Sequence, residues 1–363
     1  MRLLPFFLVR CLARPLQPLR ALVRRRWLRE AEVDALLAGL HPAWRLNRVF
    51  AEVEGREWVA DDMLALRLRC NGNARGWRAG QHVQLYLPLD GVRYSRSYSL
   101  TRVGRGGCIE LAIRRQPGGR LSNRLLDHLA VGSVLELGQA QGDLHWPAQS
   151  RGIALLAAGS GITPLLGLLR EALEKGFVAP VSLLHYVREQ GQRAFAEELQ
   201  QLVARYPNFT VRWVLTGATA AEAGMLRGRF CAEHLDVLDA DSVLACGPAQ
   251  FVDSVRQNWA GALQFEAFTA PLRVAGLATQ VQLDFTRSRV QGQGDSQRSL
   301  LEQAEGLGLR PAHGCRQGIC TSCTCTLLSG TVRDLRDGTL FGEPGQPIRL
   351  CINAPHADVA IDL

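Results

Sequence analysis

The stretch Cys315-Arg316-Gln317-Gly318-Ile319-Cys320-Thr321-Ser322-Cys323, with Cys351 downstream, spaces four thiols as C-x4-C-x2-C, a long gap, then C. Four thiolates at that spacing suit a [2Fe–2S] cluster. A tight loop wraps three sulfurs around one edge of a flat cluster, and the fourth sulfur comes from another part of the fold. Gly314 and Gly318 are expected to relieve the loop where a side chain would strain it. Short side chains at Thr321 and Ser322 leave backbone N–H groups able to point at sulfur, which tunes the potential. The competing readings are core cysteines, a disulfide pair or zinc. Zinc prefers paired C-x2-C knuckles, and this stretch holds one such pair. Cys325 follows Cys323 by two residues and is read as a packed thiol rather than a ligand.

Three further stretches have residues suited to nucleotide chemistry. Arg96-Ser97-Tyr98-Ser99-Leu100 combines a cation, an aromatic face and hydroxyls. By itself it could be a plain strand with an exposed arginine. Gly119-Arg120-Leu121-Ser122-Asn123-Arg124-Leu125 is a glycine turn opening a short helix, and helix N-termini hold phosphate through unpaired N–H groups and the dipole. Gly159-Ser160-Gly161-Ile162-Thr163-Pro164 follows the apolar run Ile153 to Ala158 and opens a helix through Arg170. The run suits a buried parallel strand, Pro164 suits a first helical turn, and the glycines let backbone approach a pyrophosphate. Many α/β folds carry such a turn, so its position after the other two motifs is what gives it weight.

The cysteine stretch, from about Thr279 to Leu363, resembles a plant-type ferredoxin domain. The Arg96 and Gly119 motifs together resemble the flavin domain of the ferredoxin–NADP reductase superfamily. The resemblance implies that Tyr98 stacks on the isoalloxazine, Ser99 hydrogen-bonds near flavin N5, and Arg96 meets the pyrophosphate. It implies that Gly119 and Ser122 serve the phosphates, with Leu100 and Arg114 lining the site and FAD preferred to FMN. Gly159, Gly161, Thr163 and Pro164 match the superfamily's G-x-G-x-[ST]-P nicotinamide-nucleotide signature, in the same order along the chain. Cys246-Gly247-Pro248 resembles the segment beside the nicotinamide, where the thiol lies along the hydride path and is not a nucleophile; a buried structural cysteine is the alternative. Glu266-Ala267-Phe268 resembles the E-x-F that ends the nucleotide domain near the flavin. At the end of the strand Val181 to Val187, Arg188 and Arg193 favour a 2′-phosphate and so NADPH, whereas Glu189 could accept from the 2′-hydroxyl of NADH.

These motifs need elements to position them. A chain of 363 residues has room for two or three domains. Short alternating runs from Asn47 to Trp146 (Val49 to Val53, Met63 to Arg69, His82 to Leu87, Ser97 to Thr101, Ile109 to Arg114, Val134 to Leu137), punctuated by Gly, Pro and Asn, predict a small antiparallel β-barrel. From Gly152 a strand–helix rhythm predicts an α/β parallel sheet, including a helix from Ala194 to Tyr206 and strands Val211 to Leu215 and Val243 to Gly247. Strands at Val281 to Phe285, Thr324 to Leu328, Gly330 to Val332 and Val359 to Asp362, with a helix at Ser299 to Glu305, predict a compact α+β domain. The expected fold class is thus multidomain. Its parts are a basic helical extension over residues 1–44, a FAD barrel over 45–147, an NAD(P) domain over 148–270 and, after a linker within 269–280, a ferredoxin domain over 276–363.

The net charge of +8 is concentrated at the start: residues 1–29 hold eight arginines and no acid. The rest of the chain is near neutral, which disfavours nucleic acid as a partner. The apolar run Leu3 to Val9 is too short to span a bilayer, and Ala21 to Leu40 reads as helical. A basic, apolar N-terminus suits an anionic membrane surface; an arm packed on the protein's own body is the alternative. Scattered remaining cysteines suggest a reducing compartment, so the expected location is cytoplasmic, with peripheral contact at the inner face of the membrane.

The order of motifs implies an NAD(P)H-dependent oxidoreductase passing electrons through FAD and its cluster to an external acceptor. Tyr98, Ser99, Cys246 and Glu266 are the expected catalytic set, and Cys315, Cys320, Cys323 and Cys351 the iron ligands. Reductases of this domain order resemble the partners of membrane-bound acyl-CoA desaturases and of aromatic or alkane oxygenases. The arginine-rich extension places the desaturase first. A redox-sensing iron–sulfur flavoprotein is the non-enzymatic alternative.

Overall fold

The chain opens with three short helices, α1 (Phe6–Cys11), α2 (Gln17–Arg24) and α3 (Glu30–Leu40). The computed structural model describes residues 4–12, 15–89, 92–217, 225–236, 238–268, 278–318, 321–336 and 338–363. The single helix expected from Ala21 to Leu40 is broken. Arg26 takes a left-handed φ of 62°, its N–H bonds the Val23 carbonyl, and the Trp27 N–H bonds the Leu22 carbonyl. That pair of bonds is a Schellman stop, set where three consecutive arginines repel one another. Val9, Leu16, Val33, Leu37, Trp44 and Leu46 form a small core under these helices. Arg20 is buried and donates to the Leu46 carbonyl and to Asn73 Oδ1. The first two helices therefore pack on the protein's own body. Among the described residues, no helix is long and apolar enough to cross a membrane.

Six strands then close an antiparallel barrel: β1 (Val49–Ala60), β2 (Met63–Cys70), β3 (His82–Leu89), β4 (Val92–Val103), β5 (Cys108–Arg114) and β6 (Val134–Leu137). Their order around the barrel is β1-β2-β5-β4-β3-β6. The inward residues Val53, Leu66, Val83, Leu85, Leu100, Leu111 and Ile113 fill it. The run expected to end at Val53 continues to Ala60: Gly55 lies inside β1 at a bulge, where the Arg67 side chain occupies the space of a missing Cβ. Helix α4 (Arg120–His128) follows β5 and packs Leu121, Leu125 and Leu126 into the barrel core.

The next elements are β7 (Ile153–Ala158), α5 (Ile162–Glu174), β8 (Val181–Val187), α6 (Ala196–Arg205), β9 (Phe209–Leu215), β10 (Leu226–Arg227), β11 (Ser242–Gly247), α7 (Ala249–Asn258) and β12 (Ala262–Ala267). The sheet order is β10-β9-β8-β7-β11-β12, and the pairs β7–β8, β8–β9 and β7–β11 are parallel. The chain reverses its winding between β7 and β11, so their carboxyl ends frame a crevice of the kind that binds nucleotides in open α/β sheets.

The barrel and this sheet belong to one compact unit. Gly167 of α5 lies against the Leu100 carbonyl, where a Cβ would overlap the oxygen. Buried Arg170 donates to the Thr101 carbonyl at 2.8 Å and pairs with Glu110 of the barrel and Glu198 of α6. These contacts press the second half of β4 against α5.

A second unit comprises Ala267–Leu363 with Pro248–Gln250. It contains β13 (Gln280–Phe285), β14 (Val290–Asp295), α8 (Leu300–Gly306), β15 (Thr324–Ser329), β16 (Val332–Asp334), β17 (Leu340–Phe341), β18 (Pro347–Arg349), β19 (Asn353–Pro355) and β20 (Val359–Ile361). The main sheet runs β14-β13-β20-β15-β18, and β17-β16-β19 forms a second. Ser299 caps α8 in a reciprocal box with Glu302. Gly330 has φ +89° and makes a turn, so the strand expected at Gly330 to Val332 starts at Val332. Most of the expected linker, residues 269–277, lies outside the described residues.

Candidate functional site: a flavin and nucleotide crevice and a thiol cluster

On the barrel, β4 and β3 pair so that Tyr98 faces Val83 and Ser99 faces His82. Ser99 and Leu100 are buried. Tyr98 is half-buried, and desolvation pushes its phenol above the ordinary range. Arg96 is exposed, with its guanidinium donating to the Ser95 carbonyl. Gly119 is the N-cap of α4 and has no side chain to cap the helix, so the first N–H groups of α4 remain available to an anion. A Cβ at Gly119 would overlap Ser122 Oγ, so only glycine leaves this cradle open. Arg120 reaches back to the Tyr94 hydroxyl at 2.8 Å, tying the helix start to β4. An exposed cation, an aromatic ring and an uncapped helix start on adjoining elements fit a flavin with a pyrophosphate tail.

At the crevice, Gly159 has φ +55° and its open face meets the Arg114 guanidinium, 2.6 Å from where a Cβ would sit. Arg114 is also paired with Asp62 at 2.7 Å. Gly161 lies so close to the Cys246 carbonyl that any side chain would collide with it. Gly247 packs on Ala158 in the same manner, a Cβ there falling 2.7 Å from the Ala158 Cβ. Thr163 is buried and its hydroxyl donates to the Ser160 carbonyl, while Pro164 sits in the first turn of α5. Pro248 is exposed just past β11. Arg188 is exposed at the end of β8, beside exposed Glu189. Arg193 lies over the Trp213 ring at 5.3 Å and donates to the Gln190 carbonyl.

The Cys246 thiol is fully buried. Desolvation first, and the neighbouring Glu266 second, raise its pKa well above the thiol range, so it stays neutral. It accepts a hydrogen bond from the Glu266 backbone N–H. The Glu266 carboxylate in turn lies 3.3 Å from His82 Nδ1. A continuous path of neighbours therefore runs Ser99, His82, Glu266, Cys246, Gly161. In the sequence His82 reads only as the start of a strand; its partner is remote in sequence, and no local spacing signals the pair. Phe268 follows β12 and is half-buried.

In the second unit Cys315, Cys323 and Cys351 are buried. The Gly318 N–H donates to Cys351 Sγ at 3.2 Å and the Gln317 N–H to Cys315 Sγ at 3.3 Å. Cys315, Cys323 and Cys351 are hydrogen-bonded neighbours, which draws the Cys323 thiol below the ordinary range and pushes Cys351 above it. Gly318 has φ +76°, and a Cβ there would strike Ile352. Gly314 does not take a left-handed conformation; Arg316 and Thr321 do instead. Cys325 is half-buried on β15 and packs against the domain core. Cys320 lies outside the described residues, and among the described residues no three His, Cys, Asp or Glu side chains close a metal site by themselves. The donor set of thiols with N–H groups aimed at sulfur fits an iron–sulfur cluster.

Comparison with known proteins adds domain identities. Residues 51–146 match the oxidoreductase FAD-binding domain, residues 155–257 the oxidoreductase NAD-binding domain, and residues 286–352 the 2Fe-2S iron-sulfur cluster binding domain. The chain is 29% identical over 345 residues to an NADPH oxidoreductase of Mycobacterium tuberculosis, covering 91% of this chain and 88% of that protein. It is 27% identical to the glycine betaine monooxygenase reductase subunit of Chromohalobacter salexigens, covering 79% and 87% respectively. Among solved structures it resembles phthalate dioxygenase reductase with a TM-score of 0.57 and 23% identity, over 86% of this chain and 97% of that one. The chain therefore carries an oxidoreductase FAD-binding domain, an oxidoreductase NAD-binding domain and a 2Fe-2S iron-sulfur cluster binding domain, in that order.

Proposed function

We propose that this oxidoreductase draws electrons from NADPH, with NADH as the weaker donor, and delivers them to an oxygen-activating partner protein. FAD, when bound, exchanges electron pairs with a nicotinamide and single electrons with an iron–sulfur cluster. The protein's own residues bind, orient and insulate. Tyr98 and Ser99 present one ring-sized face, while Arg96 and the start of α4 hold phosphate. The Gly159–Gly161 turn admits a second pyrophosphate, and the exposed Arg188 favours a 2′-phosphate. Cys246, held neutral, and Glu266 bound the space between the flavin-side strand and the nucleotide-side turn. Cys315, Cys320, Cys323 and Cys351 are the iron ligands in this reading. The observation that carries it is the path from Ser99 to Gly161, which brings flavin-side and nucleotide-side motifs to one crevice. Protein loaded with FAD and cluster should reduce ferricyanide and cytochrome c with NADPH. Ser99→Ala should slow both; unchanged rates in that variant would remove Ser99 from the site.

The membrane-bound acyl-CoA desaturase is the acceptor that one surface feature favours. Trp27 is 73% exposed, next to exposed Arg24, Arg25, Arg26 and Arg29. An exposed indole ringed by cations suits an anionic bilayer surface. Desaturase-containing membranes from a strain lacking this protein should regain acyl-CoA desaturation on its addition with NADPH. Trp27→Ser should weaken both that rescue and binding to anionic vesicles, leaving cytochrome c reduction intact. Rescue with undiminished rate by Trp27→Ser would point to an oxygenase that is not met at a membrane.

A further inference from the structure

His82 opens β3 in a closed setting. Its backbone exchanges two hydrogen bonds with Gln141, at 2.8 and 2.9 Å. Gly142, with φ +118°, lies flat against the ring; a Cβ there would fall 3.2 Å from Nδ1. The imidazole is 3% exposed. Nδ1 stands 3.3 Å from Glu266 Oε1, yet neither ring nitrogen nor Glu266 Oε2 completes a hydrogen bond in the described structure. A buried polar atom left unpaired costs about 1–3 kcal/mol, and buried polar groups are paired in the great majority of cases. Nδ1 and the carboxylate thus face each other at slightly more than hydrogen-bond length; catalytic hydrogen bonds are often long in unliganded enzymes and tighten in the loaded complex.

We propose that His82 is the positioning residue for Glu266. The imidazole Nδ1–H donates to Oε1 and fixes the carboxylate beside the neutral Cys246 thiol, leaving Oε2 as a buried acceptor. Ser99 lies directly across the strand pair from His82, so the imidazole couples the position of Glu266 to the flavin-side strand. This role rests on the reductase reading above. His82 acts through Glu266 alone, so removing it matters only while the carboxylate is present.

The test uses full-length, FAD-loaded protein and a double-mutant cycle. The variants H82A, H82N, E266Q and H82A/E266Q are assayed for kcat and KM of NADPH in ferricyanide reduction, with flavin content and thermal midpoint measured alongside. H82A should lower kcat about tenfold while KM changes less than about twofold. H82N, whose amide N–H stands at the position of Nδ1, should recover most of the loss. The double variant should be no slower than E266Q. The proposal is overturned by an H82A enzyme with wild-type kcat, by H82N as slow as H82A, or by H82A and E266Q effects that multiply. If H82A loses flavin, H82Q, whose amide stands at the position of Nε2 instead, replaces it in the cycle with the same criteria. A flavin-loaded wild type that oxidises neither NADPH nor NADH would sink the reductase reading itself; turnover with multiplying variants would sink only the role of His82.

Discussion

His185 couples the stability of the nucleotide sheet to pH. It sits in β8 between Ala157 of β7 and Trp213 of β9 and has no exposed surface. Nε2 is 3.0 Å from the Gly159 carbonyl, which can only accept, so Nε2 carries the proton of a neutral ring. Desolvation is the main force against a second proton; the Gly159 hydrogen bond opposes it, and nearby Arg114 adds repulsion, leaving a pKa of about 4. The folded value lies below an unfolded value of about 6.5. The folded state thus binds fewer protons, and stability is full above the unfolded value and lost as pH falls toward 4. From pH 7 to pH 5 the linkage relation gives a loss of about 2 kcal/mol, or about 20-fold in the opening equilibrium. Hydrogen exchange of peptides spanning β7 and β8, corrected for intrinsic rates, reads that equilibrium directly. Protection in the wild type should fall about 20-fold more over this range than in His185→Gln, which keeps a donor and cannot titrate. Equal pH dependence in the two proteins would refute a buried neutral His185 as the cause.

Three other perturbations follow from the same structure. Arg170→Ala strands Glu110 and Glu198, and breaking a buried pair from one side costs about 3–5 kcal/mol; urea denaturation should show the loss, and a change below about 1 kcal/mol would place the network in solvent. Arg26→Gly relieves a left-handed residue at the helix stop and should stabilise the N-terminal helices by about 0.5–1 kcal/mol, measured as slower proteolysis within residues 4–40. Cys325→Ser should keep the cluster's visible absorbance and iron content, whereas Cys351→Ser and Cys323→Ser should lose them; loss in Cys325→Ser would make it a ligand.

What the sequence determined by itself is whatever depends on short-range pattern. The cysteine spacing, the glycine turns and the apolar run Ile153–Ala158 each act through neighbours a few residues away, because loop geometry and strand burial are local requirements. The strands of the barrel were legible for that reason, and the span Val181–Val187 coincides with the strand found there. β14 was not legible. Its sequence, Val290-Gln291-Gly292-Gln293-Gly294-Asp295, has no apolar alternation, and it is a strand because β13 pairs with it while α8 closes over its glycines: a Cβ at Gly292 would strike Leu307. The break at Arg26 was hidden too, since helical periodicity continues through it and the capping bonds that stop the helix involve only backbone.

Tertiary structure alone decided which polar groups lie together. His82 and Glu266 come from the barrel and from the last strand of the nucleotide sheet, and Arg170 finds its carboxylates on β5 and α6. Such pairs leave no spacing signal, because burial joins them only after two sheets have packed. The same holds for the N-terminal arginines. Composition made all eight look alike, yet packing buries Arg20 on a carbonyl and leaves Arg24 to Arg26 in solvent. A charged side chain enters a core only where a fixed acceptor offsets its desolvation, and the position of that acceptor is set by the fold.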